Sequence, residues 1–110
     1  MFGLSNVAAD FDLDTTSFEK ELEATPDALL LDVRTAFEFE EGHIPGAVNL
    51  DVYQPTFLEE AEKLDRSRPV FVYCRSGNRS YTVAQALVQM GFQHVRNLQH
   101  GIISWEGDIE

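Results

Sequence analysis

The amino-acid sequence predicts an α/β fold with a mostly parallel sheet. Two observations carry that prediction. Short apolar runs rich in β-branched and aromatic residues, such as Val70 to Tyr73, read as buried strands, and Ala28 to Val33 is a second such run. Amphipathic stretches with helical spacing separate the strands, and Pro and Gly punctuate the joins. At 110 residues the chain is read as one domain, residues 1–110. A domain of that size buries about two-thirds of the surface its unfolded chain exposes, so it needs no disulfide staple.

The elements follow in order. Thr16-Ser17-Phe18-Glu19 has the form of a capping box, with Thr16 as the cap. It opens a short helix to about Glu23 that buries Phe18 and Leu22. Thr25-Pro26-Asp27 breaks the chain before the strand Ala28 to Val33. Thr35 to Glu41 forms a short helix ended by Gly42. Asp32 is placed to cap it and Arg34 to pair with Glu38 at i, i+4, so these three residues are read as structural. His43-Ile44-Pro45-Gly46 is a turn fixed by His43, and Ala47 to Leu50 is a short strand. Phe57 to Leu64 is a helix with Phe57, Ala61 and Leu64 inward and Glu59, Glu60 and Glu62 outward. After the strand ending at Tyr73, Tyr81 to Met90 forms a helix capped by Ser80, with Val83, Ala84, Leu87 and Val88 inward. Gly91 stops it. His94 to Leu98 is the last strand, and Gly101 to Trp105 makes one turn with Trp105 as a core anchor.

Composition narrows the function. The formal net charge is −11, from 19 acidic and 8 basic residues. That balance argues against nucleic acid, whose phosphates call for Lys and Arg. No apolar stretch nears the roughly 20 residues of a membrane span. Met1-Phe2-Gly3-Leu4-Ser5-Asn6 lacks the cationic and apolar segments of a secretory signal, so the expectation is a soluble cytoplasmic protein. His43, His94 and His100 lack ligand spacing, and one cysteine is too few for a metal site, so neither metal nor other cofactor is expected.

The chemistry centres on Cys74, the sole cysteine. It ends an apolar strand and opens Cys74-Arg75-Ser76-Gly77-Asn78-Arg79-Ser80, just before a helix. Ligands of open α/β sheets bind beyond the carboxyl ends of the strands. Gly77 frees the backbone to wrap, and Ser76 and Asn78 suit a tight loop. Loop amides and a helix N-terminus there favour a thiolate and an incoming anion. Such surroundings lower a thiol's pKa from about 8.5 to about 7 or below. Arg75 and Arg79 flank the loop, and no acidic residue lies between Asp65 and Glu106, so the site is positive within an acidic chain. Arginine suits an oxyanion better than an inert buried thiol.

The segment CRSGNR resembles the active-site loop of single-domain rhodaneses, the sulfurtransferases. Asp32-Val33-Arg34, Glu38 and Gly42-His43-Ile44-Pro45-Gly46-Ala47 resemble a second signature of that family at its usual spacing. Asn97-Leu98-Gln99-His100-Gly101-Ile102 and Trp105 resemble a third, usually written with paired glycines. His100 replaces the first glycine, and would strain the turn if that position takes a positive φ. The likeness runs from about Thr16 to Trp105. It implies a rhodanese-like fold, with a central parallel sheet of about five strands and helices on both faces. It also implies double displacement. Cys74 takes a sulfane sulfur from thiosulfate or a related anion, then passes it as a persulfide to cyanide, a thiol or a protein acceptor. Arg75, Ser76, Gly77, Asn78, Arg79 and Ser80 would bind the donor, the amides holding its oxygens and the arginines its charge. Tyr81 and His100 are candidates for the pocket rim.

Two rival classes remain. Phosphatases and arsenate reductases of related fold place five residues between cysteine and arginine; here four precede Arg79, a tighter cradle that disfavours a phosphoryl group. Rhodanese-like binding or regulatory modules commonly lack the cysteine, which is present here. A persulfide carrier serving a basic protein partner lies between these classes.

Overall fold

A computed structural model describes residues 10–110. The reading of Met1-Phe2-Gly3-Leu4-Ser5-Asn6 falls outside those residues. Five parallel strands form one sheet: β1 (Asp12–Leu13), β2 (Leu29–Asp32), β3 (Val48–Asn49), β4 (Val70–Tyr73) and β5 (Val95–Leu98). Their spatial order is β1-β5-β4-β2-β3, with β4 between β5 and β2. The helices are α1 (Thr15–Glu23), α2 (Ala36–Glu41), α3 (Phe57–Glu62) and α4 (Asn78–Gln89). A 3-10 turn, Ile102–Ser104, follows β5.

The central strands β2 and β4 are buried on both faces, as the interior of a parallel sheet requires. Side-chain alternation along β2 and β4 therefore feeds two cores. Leu29, Leu31, Val33, Val70 and Val72 face Phe57 and Ala61 of α3 and Val83, Ala84 and Leu87 of α4. Leu30, Phe71 and Tyr73 face Phe18 of α1, Ile44 and Leu98. Phe18 packs edge-on against Phe71 (ring centroids 5.4 Å apart) and against Trp105 (6.3 Å). Trp105 thus borders the second core, as expected, with its indole N–H donating to the Asp108 carbonyl.

The helix starts differ from the sequence reading. The cap of α1 is Asp14, not Thr16; its carboxylate accepts the Ser17 N–H at 2.8 Å. α2 is capped by Thr35 in a reciprocal box with Glu38, not by Asp32. α4 starts at Asn78 behind Gly77, so Ser80 lies inside the helix and is not its cap. Val88 turns to solvent, half-exposed, instead of inward. β1 is an additional strand; two residues carry no periodicity to read.

Asp32 and Arg34 form a buried pair at the end of β2. The Arg34 Nε donates to both Asp32 oxygens at 2.9 and 3.0 Å, and Nη2 donates to Asp32 and to the Gly42 carbonyl. Arg34 therefore pairs with Asp32, not with Glu38. Its guanidinium also lies over the Tyr73 ring, whose hydroxyl accepts the Ile44 N–H at 3.0 Å. Asn49 ties in β3 by donating to the Asp32 and Arg34 carbonyls, both at 2.9 Å. The pair thus joins β2, β3 and the 42–44 turn on the flank of the strand that carries Cys74.

Removing one partner of a buried ion pair leaves an uncompensated charge, at a cost of about 3–5 kcal/mol. Asp32→Ala should therefore lower the urea midpoint sharply with an unchanged m-value. Asp32→Leu combined with Arg34→Met should recover most of the loss, because apolar replacement removes both desolvation penalties.

Candidate active site

Cys74 is the first residue beyond β4, at the carboxyl edge of the central strand. The chain leaves the sheet there, exposes Arg75 and Ser76, and turns back through Gly77 into α4. Gly77 adopts φ +102°, and a Cβ at this position would lie 2.0 Å from the Gln99 carbonyl oxygen. Only glycine accepts both the left-handed backbone and that approach. Gly101, at φ +76°, meets the loop from the other side; its Cβ would lie 2.0 Å from the Arg75 carbonyl oxygen. The segment after β5 then hydrogen-bonds the loop: Ile102 N–H donates to the Cys74 carbonyl at 2.9 Å and Ile103 N–H to that of Arg75 at 3.2 Å. Asn97, buried in β5, bridges from Asp12 of β1 (2.8 Å) to the Gly77 carbonyl (3.4 Å).

This wrapping aims donors at sulfur. Cys74 Sγ accepts the Gly77 N–H at 3.1 Å, the Ser80 N–H at 3.4 Å and the Ser80 hydroxyl at 3.4 Å. Burial pushes the thiol's pKa up, but the Ser80 hydroxyl and the amides of Ser80, Gly77 and Ser76 outweigh it, so the thiol titrates below its ordinary value. The N-terminus of α4 adds its dipole in the same sense. Cys74 itself is 1% exposed, so the sulfur lies at the floor of the loop. A cleft of about 410 Å³ lined by Phe11, Gln85, Val88, Phe92 and Arg96 includes no residue of the loop and is separate from this chemistry.

Gly77 and Ser80 meet at the Cys74 sulfur, with Ser80 acting as a direct donor and not as a cap. Asn78 is exposed in the first turn of α4. Arg75 points to solvent and makes no side-chain hydrogen bond or ion pair among the described residues. Arg79 differs from expectation. Its Nη1 and Nη2 donate to the two Glu38 oxygens at 2.9 and 3.0 Å, and its guanidinium lies 5.6 Å from the centre of the Tyr53 ring. The Arg79 guanidinium, against the opposing effect of burial, draws the Glu38 carboxyl down to about 2, and the Thr35 amide adds to this. The loop is thus less positive than the acid-free run from Asp65 to Glu106 implied, because the fold brings an acid from α2 to it.

The sequence reading missed three contributors. Glu38 and Tyr53 reach the loop from distant segments, and Asn97 carried no signal of its contact with Gly77. Tyr81 is partly buried and packs edge-on against Phe11 at 5.1 Å. His100 is exposed, and no described residue other than glycine has a positive φ, so it imposes no backbone strain. His43 holds its turn as expected, with Nδ1 2.9 Å from the Phe39 carbonyl and its ring stacked on Phe39.

Comparison with known proteins places this geometry. The Rhodanese-like domain family matches residues 14–108. A sulfurtransferase of Allochromatium vinosum is 41% identical over 95 residues, which span 86% of each chain. The thiosulfate sulfurtransferase GlpE of Coxiella burnetii is 40% identical over 86 residues, 78% of each chain. Among solved structures, the rhodanese-like domain of the Anabaena Alr3790 protein superposes with a TM-score of 0.78 at 27% identity, covering 92% of this chain and 79% of that one.

Removing a donor to the thiolate favours the protonated thiol. Ser80→Ala should therefore move the pH profile of Cys74 alkylation by iodoacetamide to higher pH. An unmoved profile would show that the hydroxyl contributes nothing to the anion.

Proposed function

The chain belongs to the rhodanese-like family, and we propose that it moves a sulfane sulfur from thiosulfate or a related anionic donor to a thiophilic acceptor through a persulfide on Cys74. The single observation that carries this reading is the sulfur itself, held as the acceptor of three donors at the N-terminus of α4. A thiol arranged in that way is favoured as the thiolate, the nucleophilic form. The sulfurtransferase relatives support the same chemistry.

The steps follow from the charges. The thiolate attacks the outer sulfur of thiosulfate, a new S–S bond forms, and sulfite leaves with the electron pair of the broken bond. Cys74 then carries a persulfide. Cyanide or a thiolate attacks the outer persulfide sulfur, and the Cys74 thiolate is the leaving group. Neither step changes the number of electrons in the system, so no external oxidant or reductant is required. The amides that stabilise the resting thiolate also face the charge that moves through the persulfide, and they need no reorganisation to do so. Arg75, extended to solvent at the mouth, meets the incoming donor. The acceptor is a small thiol or cyanide, or a thiol carried by a protein.

Among the described residues no helix is long and apolar enough to cross a membrane. We place the reaction in the cytoplasm, where a lone reactive thiol stays reduced. The phosphatase alternative is disfavoured by the four-residue spacing to Arg79 and by the commitment of that arginine to Glu38.

Intact-protein mass after exposure to thiosulfate should rise by one sulfur atom and return on adding cyanide. Cys74→Ser should retain the fold by circular dichroism and show no gain. Absence of any gain in the wild-type chain would remove the proposal. Arg75→Ala should raise KM for thiosulfate by about tenfold, the effect of losing one charged contact. Hydrolysis of a small aryl phosphate that disappears in Cys74→Ser would favour the phosphatase reading instead.

A further inference from the structure

Two arginines flank the loop, but only one is free of an acidic partner among the described residues. Arg79 is held bidentate by Glu38 and covered by the Tyr53 ring, whereas Arg75 has no partner among the described residues. Glu38 is in turn fixed from behind: its Oε1 accepts the Thr35 N–H at 3.0 Å and the Thr35 hydroxyl at 3.1 Å. The pair is therefore anchored in the capping box of α2 and does not rest on two mobile surface side chains. Its side chains are only about a quarter exposed, 24% and 27%, so the two charges largely cancel for anything approaching the loop.

Building on the sulfurtransferase reading, we infer that Glu38 is a specificity-determining residue that sets the charge of the accepted donor, by neutralising Arg79 and leaving a site matched to a singly charged sulfane-sulfur anion. Before the donor arrives, the loop already directs three donors at the Cys74 sulfur and so favours its anionic form. Each negative charge on the donor must then be met by the α4 N-terminus and by Arg75. A dianion such as thiosulfate carries one charge more than that arrangement matches. It is accepted, but at a disadvantage that a monoanion does not share.

Glu38→Gln isolates the effect. Glutamine keeps the side-chain acceptor that a capping box needs at this position, so α2 retains its start. The charge alone is lost, and Arg79 is released toward the site. Any accompanying change in thiol pKa or in overall stability acts equally on every donor. It therefore cancels in a ratio of two donors.

The experiment compares kcat/KM for thiosulfate, a dianion, with that for methanethiosulfonate, a monoanion offering the same outer sulfur, at fixed ionic strength. In Glu38→Gln the thiosulfate-to-thiosulfonate ratio should rise by about tenfold, the scale of one extra charge interaction in a partly screened site. The double variant Glu38→Gln, Arg79→Gln removes both members of the pair, and its ratio should lie within about twofold of wild type. An unchanged or lower ratio in Glu38→Gln overturns the inference. So does a double variant whose ratio stays high, since the effect would then not run through Arg79. If the wild-type chain forms no persulfide with either donor, the sulfurtransferase reading falls, and this inference falls with it.

Discussion

The site depends on a backbone contact that excludes side chains. Gly77 and Gly101 each press against a carbonyl of the opposing segment, Gly77 against Gln99 and Gly101 against Arg75, with no space for a Cβ at either. The loop after Cys74 is therefore shaped by the chain that follows β5 as much as by its own residues. With these two approaches in place, the Gly77 amide faces the sulfur, α4 starts one residue later, and Ser80 falls where both its N–H and its hydroxyl reach Sγ. Widening the gap by one methyl group would move all of these together, because they share one short stretch of backbone.

The arrangement also explains how an acidic protein accommodates an anionic reaction centre. Its net charge is −11, but the groups that face the sulfur are the Gly77 and Ser80 amides and the Ser80 hydroxyl. Dipoles fixed by hydrogen bonding act over a few ångströms, whereas the surface acids are screened within about 8 Å at physiological salt. The local field at Sγ is thus set by the loop and not by the composition of the whole chain. The Asp32–Arg34 pair belongs to the same economy of charge: it is buried, closed on itself and tied to three backbone carbonyls through Arg34 and Asn49, so it contributes rigidity at the sheet edge without projecting charge into the site.

Much of this was legible from the residues alone, and the exceptions have physical reasons. β2 and β4 were readable because a strand buried on both faces is apolar at every position. Cys74 was readable because strand, cysteine, glycine and helix occur within one short segment. β1 was not, since two residues joined to an edge carry no pattern. The start of α1 was misplaced because Asp14, Thr15, Thr16 and Ser17 are all competent caps, and only the backbone decides among them. Ser80 looked like a cap for the same reason, but the left-handed turn at Gly77 starts the helix earlier and converts Ser80 into a ligand of the sulfur. The pairing of Arg79 with Glu38 lay beyond any local reading. Those residues are 41 positions apart, and only the side-by-side placement of β2 and β4 brings their following segments together.

The depth of the sulfur has a consequence for chemical damage. A thiolate is ordinarily the most easily oxidised group on a protein, and its exposure governs how fast peroxides and bulky electrophiles reach it. Here the neighbours of the atom favour its anionic form while the surrounding chain leaves 1% of the residue accessible. Activation and shielding are thus supplied by the same turn of backbone. A slim, linear reagent that can enter end-on meets a strong nucleophile; a broad one meets peptide.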